Sequence, residues 1–406
     1  MSSYSIPPRI IPDAWSSGRT LRFILSQYEP LFKSIFFRPA QVRTEDIQAR
    51  FINQVVSSNI THWSMFVGAQ MFRALRQDAE HPNVERFIPW LDRLDRLCLV
   101  SENDASLDDI VGRLNGALEL SFLRYLSSSS KHGFTLIRQI APTFMQVACA
   151  DPTVWPRDPG SSGISLAHAL VSPRYVLGRF IFVDVLTSLT FGVPPVVEYD
   201  TSHPIIPTIQ AHPIEWVNGC PFEFVFSIAR INQWRARRPD QRVGHDRILK
   251  EIEADTWAWQ PRCDYGPETE SWKVVMRHAV QEGWRHGVLI YLYMGMCGAT
   301  SHDSRVQSAV RQISKLHTTV GSQGLAAGIH FNMPVLLAAI AARSEADRSK
   351  FGASLSKSGK RNGMLMSCVD FGLVLHHLWS GAGANGGPVV WDDYVDSMGT
   401  VADVTH

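Results

Sequence analysis

Three aspartates near the end of the chain have the spacing of a divalent-metal site. Asp392, Asp393 and Asp396 form an Asp-Asp-x-x-Asp sequence, and on a helix the first and last of these carboxylates lie one turn apart. Carboxylates arranged in this way can share Mg²⁺ ions that hold a diphosphate. No second acidic motif follows to complete a metal cluster, so the pattern favours a solvated acidic helix start over a metal site.

A second candidate site lies inside a long apolar helix that the pattern predicts for residues 271–298. Glu282, Arg285, His286 and Tyr293 interrupt its apolar sequence. Glu282 and His286 share one face of the helix because they are four residues apart. These side chains can line a pocket for a small apolar ligand.

The other strongly apolar helix, predicted for residues 164–191, contributes Arg179 and Asp184 to the candidate site. Asp184 lies between two valines, and a carboxylate buried there needs a partner. The polar residues of the two helices therefore have two interpretations, a ligand-binding pocket or a self-satisfied buried network, of which the network is the commoner arrangement. The pocket interpretation predicts that Asp184 converges with the polar residues of the long helix.

A glycine-rich sequence near the C-terminus matches a phosphate-binding pattern only in its spacing. Gly381, Gly383 and Gly386 satisfy G-x-G-x-x-G, which binds a pyrophosphate when it follows a strand and opens a helix. Here the sequence follows a predicted helix that ends at Trp379. We therefore interpret it as a loop that terminates this helix.

The composition is that of a globular protein without strong charge. The chain has 406 residues, 45% of them hydrophobic, and a formal net charge of +1, which argues against the basic surface of many nucleic-acid-binding domains. Its six cysteines are widely spaced, as expected for reduced thiols rather than a disulfide framework. We expect an intracellular protein of the nucleus or cytoplasm, without a membrane span, an export signal or a cofactor.

Hydrophobic periodicity predicts an all-α fold of about a dozen helices, because no segment alternates with a period of two. The prolines of residues 1–40 predict an N-terminal arm, and residues 41–150 are predicted to form an N-terminal helical subdomain. Within it, Ser106 and Asp109 have the spacing of a capping box at the start of a helix. Prolines in 151–163 mark a boundary. Residues 164–406 form the predicted C-terminal helical subdomain, which contains both core helices. The architecture is a large helical bundle or superhelix.

Several long runs follow one another along the chain, among them LDDIVGRLNGALELSFLRYL, SPRYVLGRFIFVDVLTSLTFGVPP, VQEGWRHGVLIYLYMGMCGATSHDSRVQ and LHHLWSGAGANGGPVVWDDYV. In this order they resemble the fungal-specific transcription factor domain, and the resemblance extends over about residues 44–396. It implies an all-α regulatory domain that follows a DNA-binding cluster of two zinc ions and six cysteines. The first cysteine here is Cys98, so we expect that module to be missing and do not expect direct sequence-specific DNA binding.

Two functions remain open at this stage. The favoured one is a transcription-factor-like regulator that senses a small apolar molecule or binds partner proteins. The alternative is an enzyme of specialised metabolism, such as an Mg²⁺-dependent cyclase acting on a terpenoid-like substrate, because the aspartate motif also resembles the metal signature of class I terpene synthases. Asp392, Asp393 and Asp396 are metal ligands only under this alternative.

Overall fold

The computed structural model describes residues 14–34, 37–39, 42–77, 83–100, 105–127, 130–156, 163–204, 213–242, 244–261, 270–321, 328–361 and 368–402. These residues divide into two compact units. Unit 1 contains residues 14–34 and 42–152, and unit 2 contains residues 37–39 and the described residues from 153 onward. The described helices confirm the all-α prediction.

The described residues of unit 1 form six α-helices. They are α1 (Ala14–Ser34), α2 (Thr44–Val56), α3 (Asn59–Gln77), α4 (Ile88–Leu99), α5 (Leu107–Ser127) and α6 (Ser130–Cys149). Within the stretch predicted as an arm, residues 14–34 form the long helix α1, which includes Pro30. Its buried residues Ile24, Tyr28 and Phe32 join a core cluster with Val55 of α2 and residues of α3.

Helix α5 begins as the sequence predicts. The hydroxyl of Ser106 accepts a hydrogen bond from the backbone N–H of Asp109, and the Asp109 carboxylate accepts one from the backbone N–H of Ser106. This reciprocal cap satisfies two backbone donors that the first helical turn leaves free. Helix α6 contains Pro142 and continues through it, although proline removes one backbone hydrogen bond of a helix.

Unit 2 consists of eleven described α-helices and one short pair of strands. The elements are β1 (Ile164–Ser165), α7 (Leu166–Leu170), α8 (Tyr175–Phe191), β2 (Tyr199–Asp200), α9 (Pro213–Asn218), α10 (Phe222–Ala236), α11 (His245–Ala258), α12 (Ser271–Gly295), α13 (Ser304–Gly321), α14 (Asn332–Ile340), α15 (Glu345–Arg361), α16 (Cys368–Ser380) and α17 (Trp391–Ala402). The strands are parallel, with Ile164 opposite Tyr199 and Ser165 opposite Asp200. The described helices outnumber the predicted dozen because short ones such as α7 and α9 have too few residues to show a period.

Two helices form the apolar centre of unit 2, as their sequences predict. Helix α8 is buried over most of its length, and α12 contacts α10, α11, α13 and α14. The segment predicted as one helix over 164–191 divides into β1, α7 and α8. The break before α8 includes Pro173, which lacks the N–H that a continuous helix needs. Among the described residues, no helix is both long and apolar enough to cross a membrane.

Candidate ligand site at helices α11 and α12

The four polar residues predicted on α12 share one face of that helix, and this face lies against α11 and the residue that follows it. Glu282, Arg285, His286 and Tyr293 recur at spacings of three, one and seven residues, which keeps them on one side of an α-helix. Arg285, His286 and Tyr293 contact Trp259, Trp257 and Glu253, respectively, and Glu282 pairs with Arg285. The structure therefore brings these four predicted residues to a single helix–helix contact.

Arg285 makes one contact within α12 and two contacts with Trp259, the residue that follows α11. Its guanidinium lies 3.2 Å from the carboxylate of Glu282 and donates a hydrogen bond to the backbone carbonyl of Trp259. It also stacks over the Trp259 ring, with its central carbon 5.3 Å from the ring centroid. Because Arg is planar, it can form these polar and stacking contacts at the same time.

His286 lies beside an exposed indole. The centroids of the His286 and Trp257 rings are 6.1 Å apart and the ring planes are nearly perpendicular, while Trp257 is 50% exposed. Burial and the positive charge of Arg285 lower the pKa of His286 to about 4. The imidazole is therefore neutral near pH 7.

Tyr293 marks the far end of the contact between the helices. Its hydroxyl donates a hydrogen bond of 2.6 Å to the carboxylate of Glu253 on α11 and interacts with the side chain of Trp257. The Arg305 guanidinium lies over its ring at 4.5 Å. Burial and the acceptor Glu253 raise the pKa of Tyr293, so the phenol stays protonated and donates.

Three polar atoms in this contact are buried and have no hydrogen-bond partner in the described structure. They are Nε1 of Trp259, Nε of Arg285 and Nδ1 of His286. Buried polar atoms are usually paired, and each unpaired one costs on the order of 1–3 kcal/mol. We call Trp257, Trp259, Glu282, Arg285 and His286 the α11–α12 cluster. Its unpaired atoms give it the means to bind a polar group.

The hydrogen-bond partners of Asp184 lie outside the α11–α12 cluster. Its carboxylate accepts hydrogen bonds from the backbone N–H groups of Val196 and Val197, at 2.8 and 3.2 Å, and from the hydroxyl of Tyr199 at 2.8 Å. Burial raises its pKa to about 6 despite these three donors. Asp184 has the partners that a buried carboxylate requires, and all of them belong to the segment that follows α8.

Arg179 is half-buried on α8. It lies five residues before Asp184, so the two side chains leave the helix on different sides. The hydrogen bonds of Asp184 go to Val196, Val197 and Tyr199 and do not join it to the polar residues of α12. The convergence of Asp184 with Glu282, Arg285 and His286 stays a prediction. Sequence spacing orders residues along one helix, but it does not determine which neighbouring segment each face contacts.

A buried polar network that the sequence analysis missed connects α8, α10 and α12. The Asn232 amide donates to the carbonyl of Val185 at 2.9 Å and accepts from the hydroxyl of Tyr291 at 2.7 Å. The Gln233 amide donates to the carbonyl of Tyr199 at 2.6 Å. Two adjacent amides in the apolar helix α10 are the signal that indicates such a network, because both side chains need partners when buried.

The three aspartates of the Asp-Asp-x-x-Asp sequence have different surroundings. Asp392 is 76% exposed and accepts a hydrogen bond of 2.6 Å from Arg235. Asp393 accepts a hydrogen bond from the backbone N–H of Val390 at 2.8 Å, which caps α17, and Asp396 is exposed. Within the described ranges, no group of three or more His, Cys, Asp or Glu side chains is arranged to hold a metal ion.

Two carbonyl groups of the glycine-rich loop after α16 form hydrogen bonds with side chains from other elements, Arg348 and His302. Arg348 is buried and donates to the carbonyl of Gly383 at 2.8 Å, while the ring Nε2 of His302 lies 2.9 Å from the carbonyl oxygen of Gly386. A Cβ at Gly383 would approach the Arg348 guanidinium to 2.9 Å. The loop follows helix α16 and not a strand, as the sequence predicts. It ends this helix, and its glycine at position 383 allows the close approach of Arg348.

The similarity of the chain to known proteins is found at the level of a protein family. No curated protein and no solved structure is detectably similar to the chain. Residues 160–400, more than half of the chain, match the family described as the fungal-specific transcription factor domain. The match includes both helices of the α11–α12 cluster and agrees with the resemblance that the sequence runs carry. The chain therefore belongs to the family of the fungal-specific transcription factor domain.

Proposed function

We propose that this protein is a transcription regulator whose unit 2 binds a small effector molecule at the α11–α12 cluster. Membership of the family supports the regulatory role. The observation that carries effector binding is the group of three buried polar atoms without partners on Trp259, Arg285 and His286. A bound molecule that pairs them would recover free energy that the unliganded protein lacks.

The position of the cluster supports a regulatory rather than a purely structural role. Its outermost side chain, Trp257, is half exposed, so a molecule can approach from solvent. Three residues of the cluster, Glu282, Arg285 and His286, belong to α12, and this helix also contacts α10, α13 and α14. A ligand that changes the packing of α12 would thus affect much of unit 2, and differential binding to two packings is the basis of allosteric control.

The proposed regulator acts in the nucleus, and this chain does not itself bind a specific DNA sequence. A net charge of +1 gives little of the phosphate attraction on which DNA affinity depends. We propose that DNA contact comes from a separate module or a partner protein. The chain would then supply effector recognition to the complex.

A ligand-dependent thermal shift tests the proposal, because a molecule that binds only the folded state raises its melting temperature. The purified full chain is screened against a library of small apolar molecules, with Trp257→Leu as the site variant. Trp272→Leu is the matched control, since Trp272 is also an exposed tryptophan, 40% accessible, at the start of α12. We expect hits whose shift is lost in Trp257→Leu and kept in Trp272→Leu.

A reporter assay tests regulation itself. The chain is fused to an unrelated DNA-binding module, and reporter expression is measured with and without a hit from the thermal screen. We expect the hit to change expression with wild-type protein and with Trp272→Leu, but not with Trp257→Leu. Hits that shift all three proteins equally, or that leave reporter expression unchanged, would contradict effector sensing at this cluster.

A further inference from the structure

We infer that the effector of the α11–α12 cluster is an uncharged molecule that carries an acceptor oxygen, such as a ketone, ester or amide, on an apolar body. The inference rests on the proposed function and specifies the ligand of the same site. Three properties of the cluster carry it. They are its charge balance, the direction of its unpaired hydrogen bonds and its aromatic surface.

The charges of the cluster are already balanced. The guanidinium of Arg285 is 3.2 Å from the carboxylate of Glu282, so one positive and one negative charge compensate each other at half-buried positions. His286 adds no charge because its imidazole is neutral near pH 7. A carboxylate ligand would therefore bring an uncompensated negative charge, and an ammonium ligand would bring a positive charge toward Arg285, each with a desolvation cost.

The unpaired atoms of the cluster need an acceptor. Nε1 of Trp259 and Nε of Arg285 have no partner, and both groups are donors only. Nδ1 of His286 is a donor or an acceptor according to the tautomer. A carbonyl oxygen has two lone pairs and can accept from two donors, whereas an alkane or an ammonium group can accept from neither.

The aromatic surface of the cluster suits an apolar body. Trp257 is half exposed and contacts both His286 and Tyr293, and the Trp259 ring lies beneath Arg285 at 5.3 Å. Because Trp257 lies against His286, we expect a ligand that enters beside His286 to displace the Trp257 indole, at the cost of its interaction with Tyr293. Its hydrocarbon part then covers the indole surface, and burial of apolar area compensates at about 25 cal/mol per Å².

A series of eight-carbon probes tests the inference, because its members share their apolar body and differ at one end. Octan-2-one is neutral with an acceptor, octanoate is an anion, octylammonium is a cation and octane has no polar group. Dissociation constants for the wild-type chain are measured by calorimetric titration at pH 7.5. We expect octan-2-one to bind at least about tenfold more tightly than each of the others, the effect of about one net hydrogen bond.

Variants link this preference to the donors. Trp259→Phe keeps an aromatic ring but removes one donor, so the advantage of octan-2-one over octane should decrease by several-fold. Trp257→Leu, at an exposed position where folding is less at risk, should weaken octan-2-one and octane together. Trp272→Leu should bind every probe like the wild type. Circular dichroism confirms that each variant is folded before binding is compared.

The outcomes separate this inference from the proposed function. Tightest binding by octanoate or octylammonium, with loss in Trp257→Leu, would overturn the ligand class and leave effector binding at the cluster intact. Equal binding of all four probes, or binding by none of them, would also overturn the ligand class. A different result would contradict the proposed function. It is that no molecule of the library raises the melting temperature or changes reporter expression in a way that Trp257→Leu abolishes.

Discussion

The hydroxyl of Tyr199 donates a hydrogen bond of 2.8 Å to the carboxylate of Asp184, and both residues are buried. This contact joins the middle of α8 to β2, the second strand of the parallel pair. Together with the backbone donors of Val196 and Val197, it holds the chain that leaves α8 against the helix. A single carboxylate thus positions a segment that has almost no regular secondary structure.

Replacing Tyr199 by Phe removes one donor to this buried carboxylate. We expect Tyr199→Phe to lower the free energy of unfolding at pH 7.5 by about 1.5–3 kcal/mol, the usual range for a hydrogen bond to a charged group. The measurement is urea denaturation followed by circular dichroism. Tyr394→Phe is the control, because the hydroxyl of Tyr394 donates to the neutral carbonyl of Thr190 at 2.5 Å; it should cost less, and an equal cost would contradict the role of charge.

The ionisation of Asp184 should make stability depend on pH. Burial raises its pKa from 3.8, the ordinary value of an aspartate, to about 6 in the folded protein, so between these values the folded state binds more protons than the unfolded state. The stabilising contribution of the protonated form is complete below pH 3.8 and is lost as the pH rises through about 6. We expect the wild type to gain about 1–2 kcal/mol relative to Asp184→Asn between pH 7.5 and pH 5. A constant difference between the two unfolding free energies would refute the assignment.

Gly192 ends α8 where a side chain has no room. It has a φ of +67°, and a Cβ there would lie 2.4 Å from Cγ2 of Val395 on α17. Gly298 has a similar φ of +63° with nothing within 4 Å of the corresponding position. We expect Gly298→Ala to cost about 1–2 kcal/mol from backbone strain alone, and Gly192→Ala about 1–3 kcal/mol more because of overpacking. Thermal denaturation compares the two variants, and equal costs would mean that Val395 yields without penalty.

Arg348 connects α15 to the glycine-rich loop. Its buried guanidinium donates to the carbonyls of Ala342 and Gly383 at 3.1 and 2.8 Å and pairs with Glu345 at 2.9 Å. Lysine cannot reproduce this planar arrangement of donors, so Arg348→Lys should lower the free energy of unfolding by about 2–4 kcal/mol by leaving a buried carbonyl unpaired. Arg311→Lys, at an exposed position of α13, should change it by less than about 0.5 kcal/mol. Chemical denaturation of both variants provides the comparison.

The ion pair between Asp392 and Arg235 should contribute little to stability. The Asp392 side chain is 76% exposed, and Arg235 keeps a hydrogen bond of 2.9 Å to the carbonyl of Gly295 without it. We expect Asp392→Asn to lower the free energy of unfolding by no more than about 1 kcal/mol.

An Mg²⁺ titration of the wild type and of Asp392→Asn, monitored by melting temperature at constant ionic strength, tests the metal alternative. An Mg²⁺-specific increase in melting temperature that Asp392→Asn abolishes would support this alternative.

What the sequence by itself determined was the content of helix and the order of residues along each helix. The apolar period identifies α8 and α12 as core helices, the Ser106 and Asp109 pair identifies a helix start, and the spacing of Glu282 and His286 places both on one face of α12. These features are local, because a helix of fixed geometry converts spacing into direction. The family resemblance came from the same apolar pattern over long runs.

Only the tertiary structure decided which partners those faces meet. It assigned Asp184 to Tyr199 and the backbone after α8, and it brought Trp257 and Trp259 of the α11 end to Arg285 and His286. No spacing rule links these positions, since each contact depends on how a whole helix packs against its neighbours. The unpaired donors of the α11–α12 cluster became visible for the same reason: whether a polar atom lacks a partner depends on everything that surrounds it in the folded chain.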